Sequence, residues 1–282
     1  MSTPEQAASA LSARDEIAAG RRFAFGDNWR AFLASLDEGR IATAEDSLRG
    51  LLEVDRLDGR TFLDVGSGSG LFSLAARRLG ARVRSFDFDP SSVECARELK
   101  RRYFAEDRDW TIEQGSALDE GYLASLGVFD VVYSWGVLHH TGAMWRALDL
   151  VAARVAPGGK LAIALYNDQG RWSRVWTAVK RAYCGLPAPL PSVVLGAVAA
   201  RAWGPRILLD ALRLDPLRTW RSYRATRGMS PWRDLVDWVG GYPFEVSTPA
   251  QVFDFFKARG FALRRLMTVA GAHGCNQFTF ER

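Results

Sequence analysis

Apolar and polar residues follow two spacings along this chain of 282 residues. Short apolar runs typical of buried strands are each followed by a stretch with apolar positions at helical spacing. The strand-like runs cover residues 62–65, 83–87, 110–113, 129–133 and 160–166. Strands that alternate with helices predict an α/β fold built on a parallel sheet with crossover helices.

Helix signals fall between these runs. Gly80 ends a predicted helix that follows the first strand, and Asp89 and Pro90 suit the N-cap and first turn of a helix reaching about residue 103. Further helices are predicted over residues 42–54 and 141–155, the second ending at Pro157-Gly158-Gly159.

The alternation stops after residue 166 and resumes only at residues 247–249. A helix to residue 260 and strands over 261–269 and 277–280 then close the fold. We therefore predict an N-terminal helical arm or lid (1–58) and a main domain (59–282) interrupted by a helical cap insertion (171–240). Aromatic residues surround Trp29 in the arm, with Asp27 as a plausible N-cap; they either pack the arm onto the domain or close it over a ligand.

Composition narrows the class of protein. Three widely spaced cysteines form neither a disulfide framework nor a metal-ligand cluster, and no signal peptide or transmembrane segment is expected, which favours a cytoplasmic protein without a metal site. The net charge of +5 is uneven, because residues 171–233 hold twelve Lys or Arg and only two acids.

Polar residues cluster where the predicted strands end. Gly66, Gly68 and Gly70 follow the first strand, and glycines between a strand and a helix let the backbone approach a ligand closely. Asp87 ends the second strand, 23 residues after Asp64, and this spacing suits a carboxylate that binds a ribose diol. The spacing Gly-x-Gly-x-Gly differs from the dinucleotide fingerprint, and there is no Gly-Lys-Ser/Thr of a P-loop. A tight turn with Asp87 as a local cap is the simpler alternative.

The motifs together resemble the class I S-adenosylmethionine-dependent methyltransferases, and most closely the small-molecule branch that includes the ubiquinone-biosynthesis O-methyltransferases. They are Leu63-Asp64-Val65-Gly66-Ser67-Gly68-Ser69-Gly70, Phe86-Asp87-Phe88-Asp89-Pro90, Gly115-Ser116-Ala117, Phe129-Asp130-Val131-Val132, Val137-Leu138-His139-His140 and Pro157-Gly158-Gly159. The resemblance implies a Rossmann-like, seven-stranded, mostly parallel sheet with one reversed C-terminal strand.

The resemblance also implies that the cofactor is S-adenosylmethionine, and it implies a role for each residue that would contact this cofactor. Gly66, Ser67, Gly68 and Gly70 would cradle the methionine end and Asp64 would orient the amino group. Asp87 would hold the ribose, Phe88 would lie against the adenine, and Ser116 and Ala117 would flank its edge. Ser134 would lie at the sulfonium. The family often has Asp where Ser116 stands, so the contact of Ser116 with the adenine amino group is the weakest of these correspondences.

Two of the three histidines, His139 and His140, end the fourth strand, and an imidazole is a natural base near neutral pH. His140 is the first candidate for the general base; alternatively the pair only shapes the loop. Acceptor contacts are expected from Tyr166, Asn167 and Asp168 at the end of the fifth strand, and from Trp29 and His273, with Glu245 as a weaker candidate.

The sequence therefore predicts methyl transfer to a small-molecule acceptor, first of all to a hydroxyl oxygen. Transfer to nitrogen or sulfur of a metabolite or carrier-linked substrate, and a non-catalytic cofactor-binding module, remain open. The excess arginines in residues 171–240 fit a solvated face, an anionic acceptor, or a membrane surface; nucleic acid ranks last because no binding module or base-methylation motif is recognised.

Overall fold

The computed structural model describes residues 15–23, 25, 29, 33, 36–187, 189–213, 215, 231–270 and 274–282. Two residues singled out in the sequence, Asp27 and His273, lie outside this described part of the chain.

The described residues form a seven-stranded sheet in the order β3-β2-β1-β4-β5-β7-β6. The strands are β1 (Thr61–Val65), β2 (Arg82–Asp87), β3 (Trp110–Gln114), β4 (Phe129–Trp135), β5 (Val155–Tyr166), β6 (Ala262–Met267) and β7 (Cys275–Glu281). Strand β7 runs antiparallel to both of its neighbours, whereas β1 to β5 pair in parallel. The predicted mostly parallel sheet with one reversed strand is confirmed.

Helices lie between the strands and beyond them. They are α1 (Glu38–Leu52), α2 (Leu71–Arg78), α3 (Pro90–Phe104), α4 (Glu120–Ser125), α5 (Met144–Ala152), α6 (Arg171–Gly185), α7 (Leu190–Leu212), α8 (Pro231–Gly240) and α9 (Pro249–Lys257). The side chain of Asp89 accepts from Ser91 N at the start of α3, and Thr248 and Gln251 form a capping box at α9.

Alternation along β1 divides the core into two layers. Phe62 packs into the layer that α1, α2 and α3 cover, whereas Leu63 and Val65 pack into the layer of α5 and α9. The same alternation directs Asp64 toward α2. Because β1 lies between β2 and β4, the strand order reverses at the end of β1, where an open α/β sheet binds its ligands.

The predicted end of the helix at Pro157-Gly158-Gly159 is wrong. Helix α5 ends at Ala152, and these residues belong to β5. Gly158 N donates to Arg282 O and Arg282 N to Gly159 O, so the end of the chain keeps this stretch extended. A Cβ on residue 159 would lie 2.9 Å from Ala156 O and 3.0 Å from Asp130 O, which explains the glycine. Helix α4 was not predicted.

Helices α6, α7 and α8 lie between β5 and α9 and pack on one another. Leu195, Leu235 and Val239 form their buried cluster, with Trp203 and Trp238 against it. We call these three helices the cap. The expectation of no membrane-spanning segment rests on charge, since α7 is long and apolar enough to cross a membrane by length and composition, but contains Arg201 and Arg206.

Candidate functional site

The glycine turn lies between β1 and α2. Gly66, Gly68 and Gly70 have φ of 76°, 53° and 81°, in the left-handed region that favours glycine. A Cβ on Gly66 would meet Val137 at 2.3 Å, and one on Gly68 would meet the Trp29 ring at 3.0 Å. The turn is therefore tight on both sides, and only glycine fits it without displacement.

Backbone hydrogen bonds fix this turn to β2. Gly66 N and Ser67 N both donate to Phe86 O, at 2.9 and 3.0 Å. The Ser67 hydroxyl is buried, and no described residue hydrogen-bonds it. Ser67 also lines the cavity described below, so a polar group lies in the turn with its hydrogen-bonding capacity unused.

Asp87 joins the ends of β1 and β2. Its carboxylate accepts from Gly68 N and from Asp89 N, both at 2.9 Å. Burial raises the pKa of Asp87 to about 6, against the lowering effect of these hydrogen bonds. Asp87 therefore binds the backbone of the glycine turn and, from the end of β2, also lines the cavity.

Asp64 lies beneath the turn. The Ser73 hydroxyl of α2 donates to its carboxylate at 2.6 Å, and the residue is almost fully buried. Burial raises the pKa of Asp64 to about 7, the Ser73 hydrogen bond opposes this shift, and the nearby Asp87 adds to it. Two carboxyl groups with raised pKa values in one cavity wall favour a cationic ligand group.

One cavity of about 1840 Å³ runs from the glycine turn to the cap. Phe88 and Ala117 line it, as does Ser116, whose hydroxyl accepts from Leu118 N. Ser134 does not line it; its buried hydroxyl donates to Val65 O. Trp135 at the end of β4 and the following Gly136 line the cavity instead.

Arg22, from the N-terminal arm, closes this end of the cavity. Its guanidinium lies 4.8 Å from the centroid of the Phe88 ring, donates to His140 O at 2.9 Å and pairs with Glu16 at 2.7 Å. Trp29 of the arm also lines the cavity. The described residues of the arm therefore take part in both roles: Arg22 and Trp29 line the cavity, and Leu33 packs into the layer of α1, α2 and α3.

The two histidines differ in position. His140 lines the cavity, and its Nδ1 lies 2.6 Å from Pro243 O, so Nδ1 carries the proton and Nε2 the lone pair. Burial lowers the pKa of His140 to about 3. His139 is buried beside it, accepts from Tyr166 N through Nδ1, and is not among the cavity-lining residues.

The residues expected to contact the acceptor also divide into those that line the cavity and those bound elsewhere. Tyr166 lines the cavity, but the Asn167 side chain accepts from Asn276 and thereby ties β5 to β7. The carboxylate of Glu245 accepts from Met144 N at the start of α5, and Asp168 accepts from Gly170 N. The neighbours of His273 in sequence, Gly274 and Cys275, line the cavity.

The cap supplies the far wall of the cavity. Trp172, Trp176, Trp203 and Trp238 line it together with Arg201 and Arg206. Lys180 of α6 is fully buried: its ammonium donates to Trp238 O and lies 4.7 Å from the Phe244 ring centroid. Burial lowers the pKa of Lys180 to about 7.

Comparison with known proteins agrees with this geometry. A family model described as a methyltransferase domain matches residues 36–232. The chain belongs to the class I S-adenosylmethionine-dependent methyltransferases.

Two curated relatives match part of this methyltransferase. They are the tRNA U34 carboxymethyltransferase of Methylococcus capsulatus, 34% identical over 120 residues (42% of this chain, 36% of the relative), and the ubiquinone biosynthesis O-methyltransferase of Methylocella silvestris, 32% identical over 111 residues (39% and 41%). The chain thus spans less than half the length of either relative.

The fold is similar to that of the magnesium protoporphyrin IX methyltransferase of Synechocystis PCC 6803, solved with bound S-adenosylhomocysteine. The TM-score is 0.52 at 16% identity, covering 91% of this chain and 93% of that one.

The residues of the turn fit the cofactor of this family. The Cβ-free surface of Gly68, the unused Ser67 hydroxyl and the Asp87 carboxylate all border one cavity. Ser73, Arg22 and Lys180 were missed in the sequence. Ser73 interrupts an otherwise apolar helix nine residues after Asp64, which is a usable signal; no local signal marks the other two.

Proposed function

We propose that this methyltransferase moves a methyl group from S-adenosylmethionine to a hydroxyl oxygen of a small, anionic molecule in the cytoplasm. The observation that carries the proposal is the orientation of His140. Its Nδ1–H donates to Pro243 O, which leaves Nε2 as a hydrogen-bond acceptor on a residue of the same cavity as Asp87 and the glycine turn.

The chain's own residues would hold the cofactor at the β1 end of the cavity. Asp64 would orient the amino group, Asp87 would accept from the ribose hydroxyls, and Phe88 would cover the adenine. When bound, S-adenosylmethionine supplies a methyl group on a positively charged sulfur. The remaining task of the protein is to align the acceptor and to receive its proton.

His140 suits the second task as an acceptor of a proton that leaves during transfer. Burial, with Lys180 and Arg22 nearby, disfavours its charged form, so the imidazole is neutral at physiological pH and its lone pair is free to bind a hydroxyl. With a pKa of about 3, His140 is too weak a base to remove the proton of a free hydroxyl. It would orient the hydroxyl as a hydrogen-bond acceptor and would receive the proton only after the new bond to the methyl group has made the oxygen strongly acidic.

The anionic character of the acceptor is argued from the cap. Arg201 and Arg206 line the cavity, and neither forms an ion pair with a described carboxylate. The four tryptophans of the same wall supply flat apolar contacts. Together they favour an apolar or aromatic acceptor that carries a carboxylate or a phosphate.

The proposal is tested by offering the purified chain S-adenosylmethionine with pools of phenolic and carboxylated acceptors and measuring S-adenosylhomocysteine. His140→Asn keeps a donor for Pro243 O but lacks Nε2, and it should lower the rate by about a hundredfold. Its affinity for S-adenosylhomocysteine, measured by calorimetry, should match that of the parent chain. Full turnover by this variant would exclude His140, and cofactor binding without turnover in any pool would support a non-catalytic module.

A further inference from the structure

Helix α7 carries an apolar side that no described part of the protein covers. The helix has 23 residues, and only 6% of its most apolar stretch of 18 residues is buried. The large exposed side chains include Val193 (65%), Leu208 (63%) and Leu212 (74%), together with Leu190. Leu190 and Val193 lie about one helical turn apart before Pro205, and Leu208 and Leu212 lie about one turn apart after it, so each half of α7 carries an exposed apolar strip. We call these two strips the outer face of the cap.

The charge around this face has a single sign. Residues 171–213 contain six arginines and one lysine against one acid, Asp210. All six arginines (Arg171, Arg174, Arg181, Arg201, Arg206 and Arg213) are exposed, whereas Asp210 and Lys180 are buried. The solvent side of α6 and α7 is therefore apolar and cationic, which is the composition of a helix that lies in the surface of an anionic bilayer.

Spanning a bilayer is incompatible with the packing of α7. Its opposite side holds Leu195 in the buried cluster with Leu235 and Val239, and other residues of α7 line the cavity. A spanning helix would lose these contacts and bring Arg201 and Arg206 into hydrocarbon, where arginine is strongly disfavoured. A helix lying along the surface keeps this packing and leaves Arg201 and Arg206 in the cavity wall.

A second copy of the chain suits the face less well. A two-fold contact would set the outer face against itself and would bring the arginines of one copy close to those of the other. Anionic headgroups compensate the same arginines.

We propose that the outer face of the cap binds the surface of an anionic lipid bilayer, with α7 lying in the plane of the membrane. The exposed leucines and Val193 enter the boundary between headgroups and acyl chains, and the four arginines that do not line the cavity (Arg171, Arg174, Arg181 and Arg213) contact phosphates. Trp172 of α6 is exposed and also lines the cavity, so it lies at the mouth of the cavity. Tryptophan is enriched at the same level of the membrane interface.

The test is flotation of the full chain with vesicles. We expect binding to vesicles of phosphatidylcholine with phosphatidylglycerol, much weaker binding to phosphatidylcholine alone, and release as salt is raised. The double variant Val193→Asp with Leu208→Asp should need at least about tenfold more lipid for half-binding. Val128→Asp is the matched control, because Val128 is 54% exposed but lies outside the cap, and it should bind as the parent does.

Affinity for S-adenosylhomocysteine, measured on each variant, reports whether the chain is folded. If the double variant does not fold, Arg174→Glu with Arg181→Glu replaces it, and loss of binding to the anionic vesicles is again expected. Three results would overturn the proposal: no binding to anionic vesicles, equal loss in Val128→Asp, or a dimer in sedimentation that Val193→Asp with Leu208→Asp dissociates. The last result would assign the face to a second copy.

Discussion

Single side chains in the glycine turn serve two purposes at once. Asp87 holds the turn through Gly68 N and stays within the cavity wall, so the group that would bind a ribose also shapes the backbone beside it. Gly68 in turn gives room to the Trp29 ring. A change at one of these positions therefore affects both the turn and the ligand.

Gly68→Ala should weaken binding of S-adenosylhomocysteine by about tenfold, because the new methyl group strains a left-handed residue and meets Trp29. Gly127 provides the control, since its φ is 80° and no atom lies within 4 Å of its Cβ position. Both variants should lose about 1 kcal/mol in the free energy of unfolding. Equal affinities in calorimetry would show that the turn is not part of the cofactor site.

Some residues of the candidate site could be predicted from the sequence, and the position of the histidine side chains could not. The glycines and Asp87 were found because they lie where a strand ends, and strand ends meet at one edge of the sheet. Asp64, inside β1, was found through the family resemblance alone. Which of the adjacent histidines lines the cavity depends on a short 3-10 turn over Leu138–His140 and on Pro243, more than 100 residues away. No local pattern contains that contact.

At the scale of elements, α6 is held to the end of α8 within the cap. Lys180 donates to Trp238 O, and the Cys184 thiol lies 3.1 Å from Gly240 O, so α6 binds two of the last carbonyls of α8. A lysine at the carboxyl end of a helix is favourable. Its burial among Tyr166, Trp238 and Phe244, with no carboxylate among its described contacts, opposes its charge.

The stability of the protein should rise with pH between about 7.5 and about 8.5 because of Lys180, a range in which Asp64, with a pKa of about 7, is already mostly ionised. The pKa of Lys180 is about 7 in the folded chain and has its ordinary value near 10.5 in the unfolded one, so the unfolded state binds more protons in this range. The slope should approach about 1 kcal/mol per pH unit. Urea unfolding of Lys180→Met should lack this slope, and Lys100→Met should retain it. An unchanged slope in Lys180→Met would contradict the assignment.

Helix starts were predicted correctly where capping residues at the start itself determine them. Asp89-Pro90 and Thr248-Pro249 begin helices as expected. Pro157-Gly158-Gly159 did not act as a break, because hydrogen bonds to Arg282 extend β5 through these residues. Pairing with the far end of the chain outweighs a local preference, and such pairing cannot be read from a single window.

For the whole molecule, the distribution of charge determines where anions are attracted more than the net charge does. The net charge is +5, but the exposed arginines of α6 and α7 concentrate it on the cap, at the mouth and wall of the cavity. This arrangement steers anions toward the cap.

Arg201→Gln with Arg206→Gln should raise the KM for an anionic acceptor by about tenfold, with little change in kcat, since each removes a charge that binds substrate and transition state alike. The KM of the parent enzyme should also rise with salt, more steeply than that of the variant. Initial rates from 50 to about 500 mM salt would check this. A KM independent of salt in both proteins would exclude an electrostatic role for these arginines.

Arg22 contacts both halves of the cavity through one guanidinium, with the Phe88 ring on one side and the carbonyl of His140 on the other. If an adenine binds against Phe88 as proposed, Arg22 would link its binding to the backbone position of His140, and linkage of this kind is reciprocal. An acceptor that draws His140 toward itself would change the affinity for the cofactor by the same factor as the cofactor changes the affinity for the acceptor. The two ligands would then bind with measurable cooperativity, although they need not touch each other.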